Sequence, residues 1–296
     1  MAQQAGGAVG SLEVYPFYQR VANSLVAYVI YIKKMIWPAD LSFLYPYWDV
    51  LPLWQIVGAG LLIAGISFLS IKSTKCRPWL LVGWFWYLGT LIPVIGLVKV
   101  GLHSMADRYT YVPLIGLFIA VAWEGAAILQ RWQLKKYKVA MITTAILSVF
   151  MLTTWSQVRQ WKDSITLYEH ALEVNPENYV AHNNLGLILA DQGKTREAIR
   201  HYLKAVRVKP KYAHANNNLG TALIQLGKFD EAEVFIKEAL KADPHFAEAY
   251  SNLGAVFVYR GKIDKAAELF RKALQIRPHF SSAYNNLNRV LALPKQ

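Results

Sequence analysis

Asn184-Leu185-Gly186, Asn218-Leu219-Gly220, Asn252-Leu253-Gly254 and Asn286-Leu287-Asn288 are one phrase written four times, at intervals of 34 residues. That period belongs to a helix-turn-helix unit that stacks on copies of itself into a solenoid. The rest of each unit agrees. Ala198, Ala232 and Ala266 lie twelve residues after the glycine, where the two helices of a unit must approach closely. Tyr202, Ile236 and Phe270 follow one turn later as the bulky residues that fill the space the glycine leaves. Pro210, Pro244 and Pro278 stop the second helix, because proline cannot continue it.

These positions define tetratricopeptide repeats. Full repeats are expected at 179–212, 213–246 and 247–280. A half repeat is expected at 161–177, where Tyr168, Ala171 and Pro176 occupy second-helix positions. A capping helix is expected at 280–291, with Asn288 in place of the packing glycine.

Residues 1–157 read differently. The whole chain of 296 residues is 54% hydrophobic and 17% charged, with ten tryptophans, which points to a membrane. The stretch 21–37 is apolar until Lys33 and Lys34 and ends at Pro38, so it is expected as an interfacial or partly inserted helix. The stretches 51–71, 78–98, 111–130 and 139–157 are apolar on all faces and long enough to cross about 30 Å of hydrocarbon. Pro93 predicts a kink in the second of them, and Glu124 is an acid inside the third. The fold class expected is therefore all-α: polytopic transmembrane helices in 1–157, then a tetratricopeptide-repeat solenoid in 158–296.

Charge gives sidedness. Lys72, Lys75 and Arg77 lie in one short connection; Arg131, Lys135, Lys136 and Lys138 lie in another. Both are expected on the cytoplasmic side, which puts the repeats on the outer face: periplasm, cell exterior or organelle lumen. The net charge of +13 is read as membrane orientation, and nucleic-acid binding is not expected, since no helix shows a basic stripe with interleaved aromatics. The single cysteine, Cys76, excludes an internal disulfide and a thiolate metal cluster.

Two constellations are candidates for chemistry. The first is the ladder Asn184, Asn218, Asn252 and Asn286, with Asn183 and Asn217 beside it. A carboxamide carries both donor and acceptor, which an extended peptide backbone needs. Packing between repeats is the alternative. A binding role is favoured, because a purely structural position would more readily be apolar. The ladder resembles that of the O-linked N-acetylglucosamine transferases, where it grips substrate backbone. The second constellation is Asp107 and Arg108, with Tyr111, just before a crossing stretch. A charged pair at that depth suits a phosphate-linked lipid head. Spacing alone favours a structural ion pair at the interface.

Ala106-Asp107-Arg108-Tyr109-Thr110-Tyr111-Val112-Pro113, preceded by Trp84-Phe85-Trp86-Tyr87-Leu88-Gly89-Thr90-Leu91-Ile92-Pro93 and by Lys34-Met35-Ile36-Trp37-Pro38-Ala39-Asp40-Leu41, resembles the transmembrane and tetratricopeptide-repeat-containing O-mannosyltransferase family and its bacterial relatives. The resemblance implies a glycosyltransferase that uses a lipid-linked sugar, with this chain as its C-terminal part. It implies a polyprenyl-phosphate sugar as lipid partner and an acceptor protein or peptide in the repeat groove. The family's catalytic acids lie in an N-terminal membrane half with no counterpart here. Asp40 and Asp49 are not assigned to that role, and the chain alone is expected to be inactive. No metal-ligand spacing, nucleophile elbow or phosphate-binding glycine loop is present, and no cofactor is identifiable. The alternative is a non-catalytic, membrane-anchored scaffold for protein-protein interaction.

Overall fold

The computed structural model describes residues 16–38, 41–42, 45–46, 51–97, 103–133 and 135–292. These form thirteen α-helices and one two-stranded pairing. The chain divides into two compact units, 1–163 and 164–296.

The first unit holds α1 (Phe17–Ile36), α2 (Leu53–Lys72), α3 (Pro78–Leu91), α4 (Tyr111–Arg131) and α5 (Lys136–Gln160), with β1 (Tyr45–Pro46) paired antiparallel to β2 (His103–Met105). Among the described residues, three helical stretches are long and apolar enough to cross a membrane: Leu53–Lys72, Asp107–Arg131 and Lys136–Gln160. The expected fourth, 78–98, is not among them. Its helix α3 stops at Leu91 after 14 residues, about 21 Å. Pro93 supplies no N–H, and the chain turns from Ile92 to Gly96, whose φ is +93°.

That early stop frees carbonyls, and α1 satisfies them. The Tyr28 hydroxyl donates to the Leu88 carbonyl at 2.7 Å, Ser24 Oγ to the Ile95 carbonyl at 3.0 Å, and Arg20 Nη1 to the Leu97 carbonyl at 2.8 Å. The Tyr87 hydroxyl returns a bond to the Tyr28 carbonyl at 2.6 Å. Helix α1 thus begins four residues before the expected 21 and runs to Ile36, with Trp37 outside it. Tyr28, Tyr31, Trp84, Tyr87 and Leu91 form the core beside it.

Helices α3 and α4 touch backbone to backbone. A Cβ on Gly116 would lie 2.6 Å from the Gly83 carbonyl oxygen, so only glycine permits this approach. Glu124 on α4 pairs with Arg77 (2.6 Å) and accepts from Trp79 Nε1 (3.3 Å), which makes it a structural acid. Helix α5 buries none of its residues, and its side chains are those that lipid would solvate.

The second unit is the solenoid: α6 (Ser164–Val174), then the pairs α7 (Tyr179–Asp191) and α8 (Thr195–Val208), α9 (Ala213–Gln225) and α10 (Phe229–Ala242), α11 (Ala247–Tyr259) and α12 (Ile263–Ile276), and last α13 (Ser281–Leu291). The sequence code is read directly in its packing. A Cβ on Gly186 would meet the Tyr202 ring at 2.6 Å, and one on Gly254 the Phe270 ring at 2.7 Å. Ala198, Ala232 and Ala266 are fully buried. Gly193, Gly227 and Gly261 take φ of +76°, +73° and +70° between the helices of each pair, the left-handed position that closes a first helix.

Candidate functional site

In the first unit, a cavity of about 480 Å³ opens between α1, the start of α4 and the C-terminal half of α5. Asp107 opens a short 3₁₀ turn, Asp107–Thr110, that leads into α4. The turn is fixed from α1: the Tyr31 hydroxyl donates to the Ala106 carbonyl at 3.1 Å and accepts from the Ala106 N–H at 3.0 Å. Asp107 Oδ2 accepts from the Ser42 N–H at 2.7 Å and from the Tyr45 hydroxyl at 2.9 Å, and Lys34 Nζ lies 3.8 Å away. Asp107 Oδ1 is enclosed and has no hydrogen-bond partner among the described residues.

Asp107 and Arg108, expected as a pair, do not pair with each other. The ion partner of Asp107 is Lys34, because α1 delivers that ammonium to the turn. Arg108 is exposed; its guanidinium lies over the Tyr109 ring at 5.2 Å. Tyr111 is 78% exposed and stands on the same rim. Met35, Leu114, Phe118, Phe150 and Val158 make the wall apolar. The cavity thus joins a charged, hydrogen-bonding head to a greasy side. Lys34, Ser42 and Tyr45 were not among the sequence candidates; the signal for Lys34 was its place in the Lys34-Met35-Ile36-Trp37-Pro38 motif. Asp40 and Asp49 lie outside the described residues. Among the described residues, no three His, Cys, Asp or Glu side chains are grouped to hold a metal ion.

In the second unit, the ladder residues sit on the first helices α7, α9, α11 and α13, each half-buried. Their amides reach back one repeat. Asn218 Nδ2 donates to Asn183 Oδ1 at 2.9 Å, and Asn252 Nδ2 donates to Asn217 Oδ1 at 2.9 Å and to Thr221 Oγ1 at 3.0 Å. Asn184 Nδ2 donates to the Tyr168 hydroxyl at 3.3 Å, and its Oδ1 accepts from Asn183 Nδ2 at 3.1 Å. Asn183 and Asn217 are buried, so they serve as receivers for the next repeat. At the last rung Ser251 stands where Asn183 and Asn217 stand earlier, and Asn286 makes no such bond among the described residues. The Oδ1 atoms of Asn218 and Asn252 accept no hydrogen bond among the described residues, and neither is enclosed.

A histidine pair lies beside the ladder. His182 Nε2 donates to the Pro176 carbonyl at 3.1 Å, and His182 Nδ1 lies 3.1 Å from His201 Nδ1. Burial, the neighbouring His201 and the Lys204 charge pull His182 down to about 4, against the Pro176 bond that favours its charged form. Burial and Lys204 pull His201 down as well, while Glu197 raises it. One repeat later Asn216 fills the same place and donates to the Pro210 carbonyl at 2.8 Å.

An apolar helical unit with a charged-headed cavity is followed by a tetratricopeptide-repeat solenoid. Tetratricopeptide repeat family profiles match residues 167–200, 189–256 and 247–280. The chain carries tetratricopeptide repeats and is similar to proteins named protein O-mannosyl-transferase. It is 25% identical over 192 residues to a protein O-mannosyl-transferase of Caenorhabditis elegans, covering 61% of this chain and 26% of that protein. It is 33% identical over 154 residues to the protein O-mannosyl-transferase TMTC4 of Mus musculus, covering 50% of this chain and 20% of that one. The chain therefore spans about a quarter or less of these relatives. Among solved structures, that of MamA is 28% identical with a TM-score of 0.41, covering 45% of this chain and 80% of that one.

Proposed function

We propose that this chain supplies two binding surfaces of a protein O-mannosylation-type glycosyltransferase: a site for the phosphate-linked head of a lipid sugar donor, and a repeat groove for the acceptor peptide. The observation that carries the reading is the cavity at Asp107. Its head offers the Arg108 guanidinium to a phosphate, beside an Asp107 carboxylate anchored by Lys34. Its wall of Met35, Leu114, Phe118 and Phe150 suits the isoprenoid next to that phosphate. Lys34, Ser42 and Tyr45 hold the carboxylate still, which costs no reorganisation on binding.

On this reading the repeats face the same side of the membrane as that head. The exposed carboxamide oxygens of Asn218 and Asn252, with the other ladder residues, then meet the acceptor backbone.

The test is binding of undecaprenyl phosphate to the full chain in phosphatidylcholine nanodiscs. Arg108→Ala should weaken it by about tenfold, the worth of one charge-assisted phosphate contact, and Arg77→Ala should not. Equal affinity for the Arg108→Ala and unaltered chains would leave the membrane-anchored scaffold as the better account.

A further inference from the structure

The first full repeat differs from the two that follow on its second helix. Helix α8 presents Arg196, Arg200, Lys204 and Arg207, all exposed. At 3.6 residues per turn they fall within about 80° of one another, along roughly 16 Å of helix. None of the four is in an ion pair with a described carboxylate. The equivalent positions one repeat on are Asp230, Val234, Glu238 and Lys241, and two repeats on Asp264, Glu268, Lys272 and Gln275. The fold therefore does not require cations here. In the second repeat Asp230 and Glu233 are instead engaged by Arg260 from the third.

The same helix borders a groove of about 320 Å³. Ile199 and Leu203 from α8 face Leu219 from α9, Leu226 just past its end and Phe235 from α10 across it. Leu203 and Leu226 remain 45% and 41% exposed. Arg196 stands on the rim, and the rim acid Glu231 is already neutralised by Lys228 at 2.8 Å. By helical position Ile199 and Leu203 lie just beside the cationic arc.

We propose that this face docks an acidic peptide segment that carries one aliphatic anchor. The cations receive its carboxylates, and the groove takes the anchor. A discrete pocket beside the charges favours a peptide over a membrane surface, since a flat layer of headgroups has no side chain to insert. The cations lie on second helix α8, whereas the asparagine ladder lies on first helices, so substitutions at Arg196 and Arg200 test this face separately from the ladder.

The probe is a fluorescein-labelled decapeptide of glutamates with one central leucine, added to the full chain in phosphatidylcholine nanodiscs. Saturable binding is expected, weakened as salt rises from about 50 to about 500 mM. Arg196→Glu with Arg200→Glu should lower affinity by about tenfold or more, and Arg271→Glu on α12 should leave it unchanged. Replacing the peptide's leucine by serine should cost about tenfold, a result independent of how any protein variant folds. No binding of the decapeptide, or equal binding of the serine peptide, overturns the proposal. So does binding of phosphatidylglycerol vesicles through Arg196 and Arg200 without any binding of the decapeptide, which would assign the face to lipid.

Discussion

Removing single rungs of the asparagine ladder should have unequal effects, and the structure sets the order. Asn218→Ala deletes the donor to Asn183 Oδ1, an atom of a side chain only 3% exposed. An enclosed acceptor left without its donor costs about 1–3 kcal/mol. Alanine returns roughly 0.5 kcal/mol through its better helix propensity. The net loss is about 0.5–2.5 kcal/mol, felt between the first and second full repeats. Asn252→Ala should cost at least as much, because Asn252 Nδ2 reaches both Asn217 Oδ1 and Thr221 Oγ1. Asn286→Ala should cost nothing, since Asn286 bonds no neighbour in this way and alanine favours α13. The last tryptophan is Trp161, so tryptophan fluorescence carries no probe within the full repeats. Amide hydrogen exchange read by mass spectrometry can. A net 1.4 kcal/mol appears as about tenfold faster exchange in α7 and α9 for Asn218→Ala. Equal acceleration by Asn286→Ala, or none by Asn218→Ala, would refute the inter-repeat role.

Four further outcomes follow from the geometry. His182 and His201 are held neutral, so the unfolded chain binds more protons; the solenoid should be fully stable above about pH 6.5 and lose stability as pH falls through about 4, and His182→Asn, copying Asn216, should flatten that profile in thermal melts. Gly116→Ala should lower the melting temperature of the chain in detergent, at a cost of about 1–3 kcal/mol, because its Cβ meets the Gly83 carbonyl oxygen at 2.6 Å. Cys76 is exposed between α2 and α3 in the basic connection; if that connection is cytoplasmic, an impermeant maleimide should label it only after cells are permeabilised. Ser251→Asn should supply the acceptor that Asn286 lacks and slow exchange in α13 by roughly two- to tenfold, against which unchanged or faster exchange would count.

The solenoid was legible because every structural demand recurs with the 34-residue period. Gly186, Ala198 and Tyr202 announce one close approach, and two further copies remove the ambiguity. The apolar unit has no such redundancy. That 78–98 would stop being helical at Leu91 depends on Tyr28, Ser24 and Arg20, which take up the freed carbonyls from 60–77 residues away. The surroundings of Asp107 are equally non-local: Ser42 and Tyr45 lie 65 and 62 residues earlier. A motif could mark Asp107 and Arg108 as neighbours in sequence, but only tertiary structure shows that one is gripped and the other is exposed. The Asn183-Asn184 and Asn217-Asn218 doublets did hold the ladder's arrangement in plain sight. What was missing was the direction of the bond, since a carboxamide can be donor, acceptor or both.

That direction bears on what the groove can recognise. At Asn218 and Asn252 the amide nitrogen is committed to the preceding repeat, and the oxygen is not. A ligand lying along these two rungs therefore meets acceptors at a one-repeat spacing and must bring donors to them. Extended peptide offers an N–H on one edge at every second residue, about 7 Å apart, so backbone of any sequence can bring such donors. Asn184 departs from the pattern, because its oxygen already accepts from Asn183. Two successive rungs, rather than four, thus present equivalent oxygens with no partner among the described residues, and under the proposed acceptor binding the strongest backbone contact is expected between the second and third full repeats.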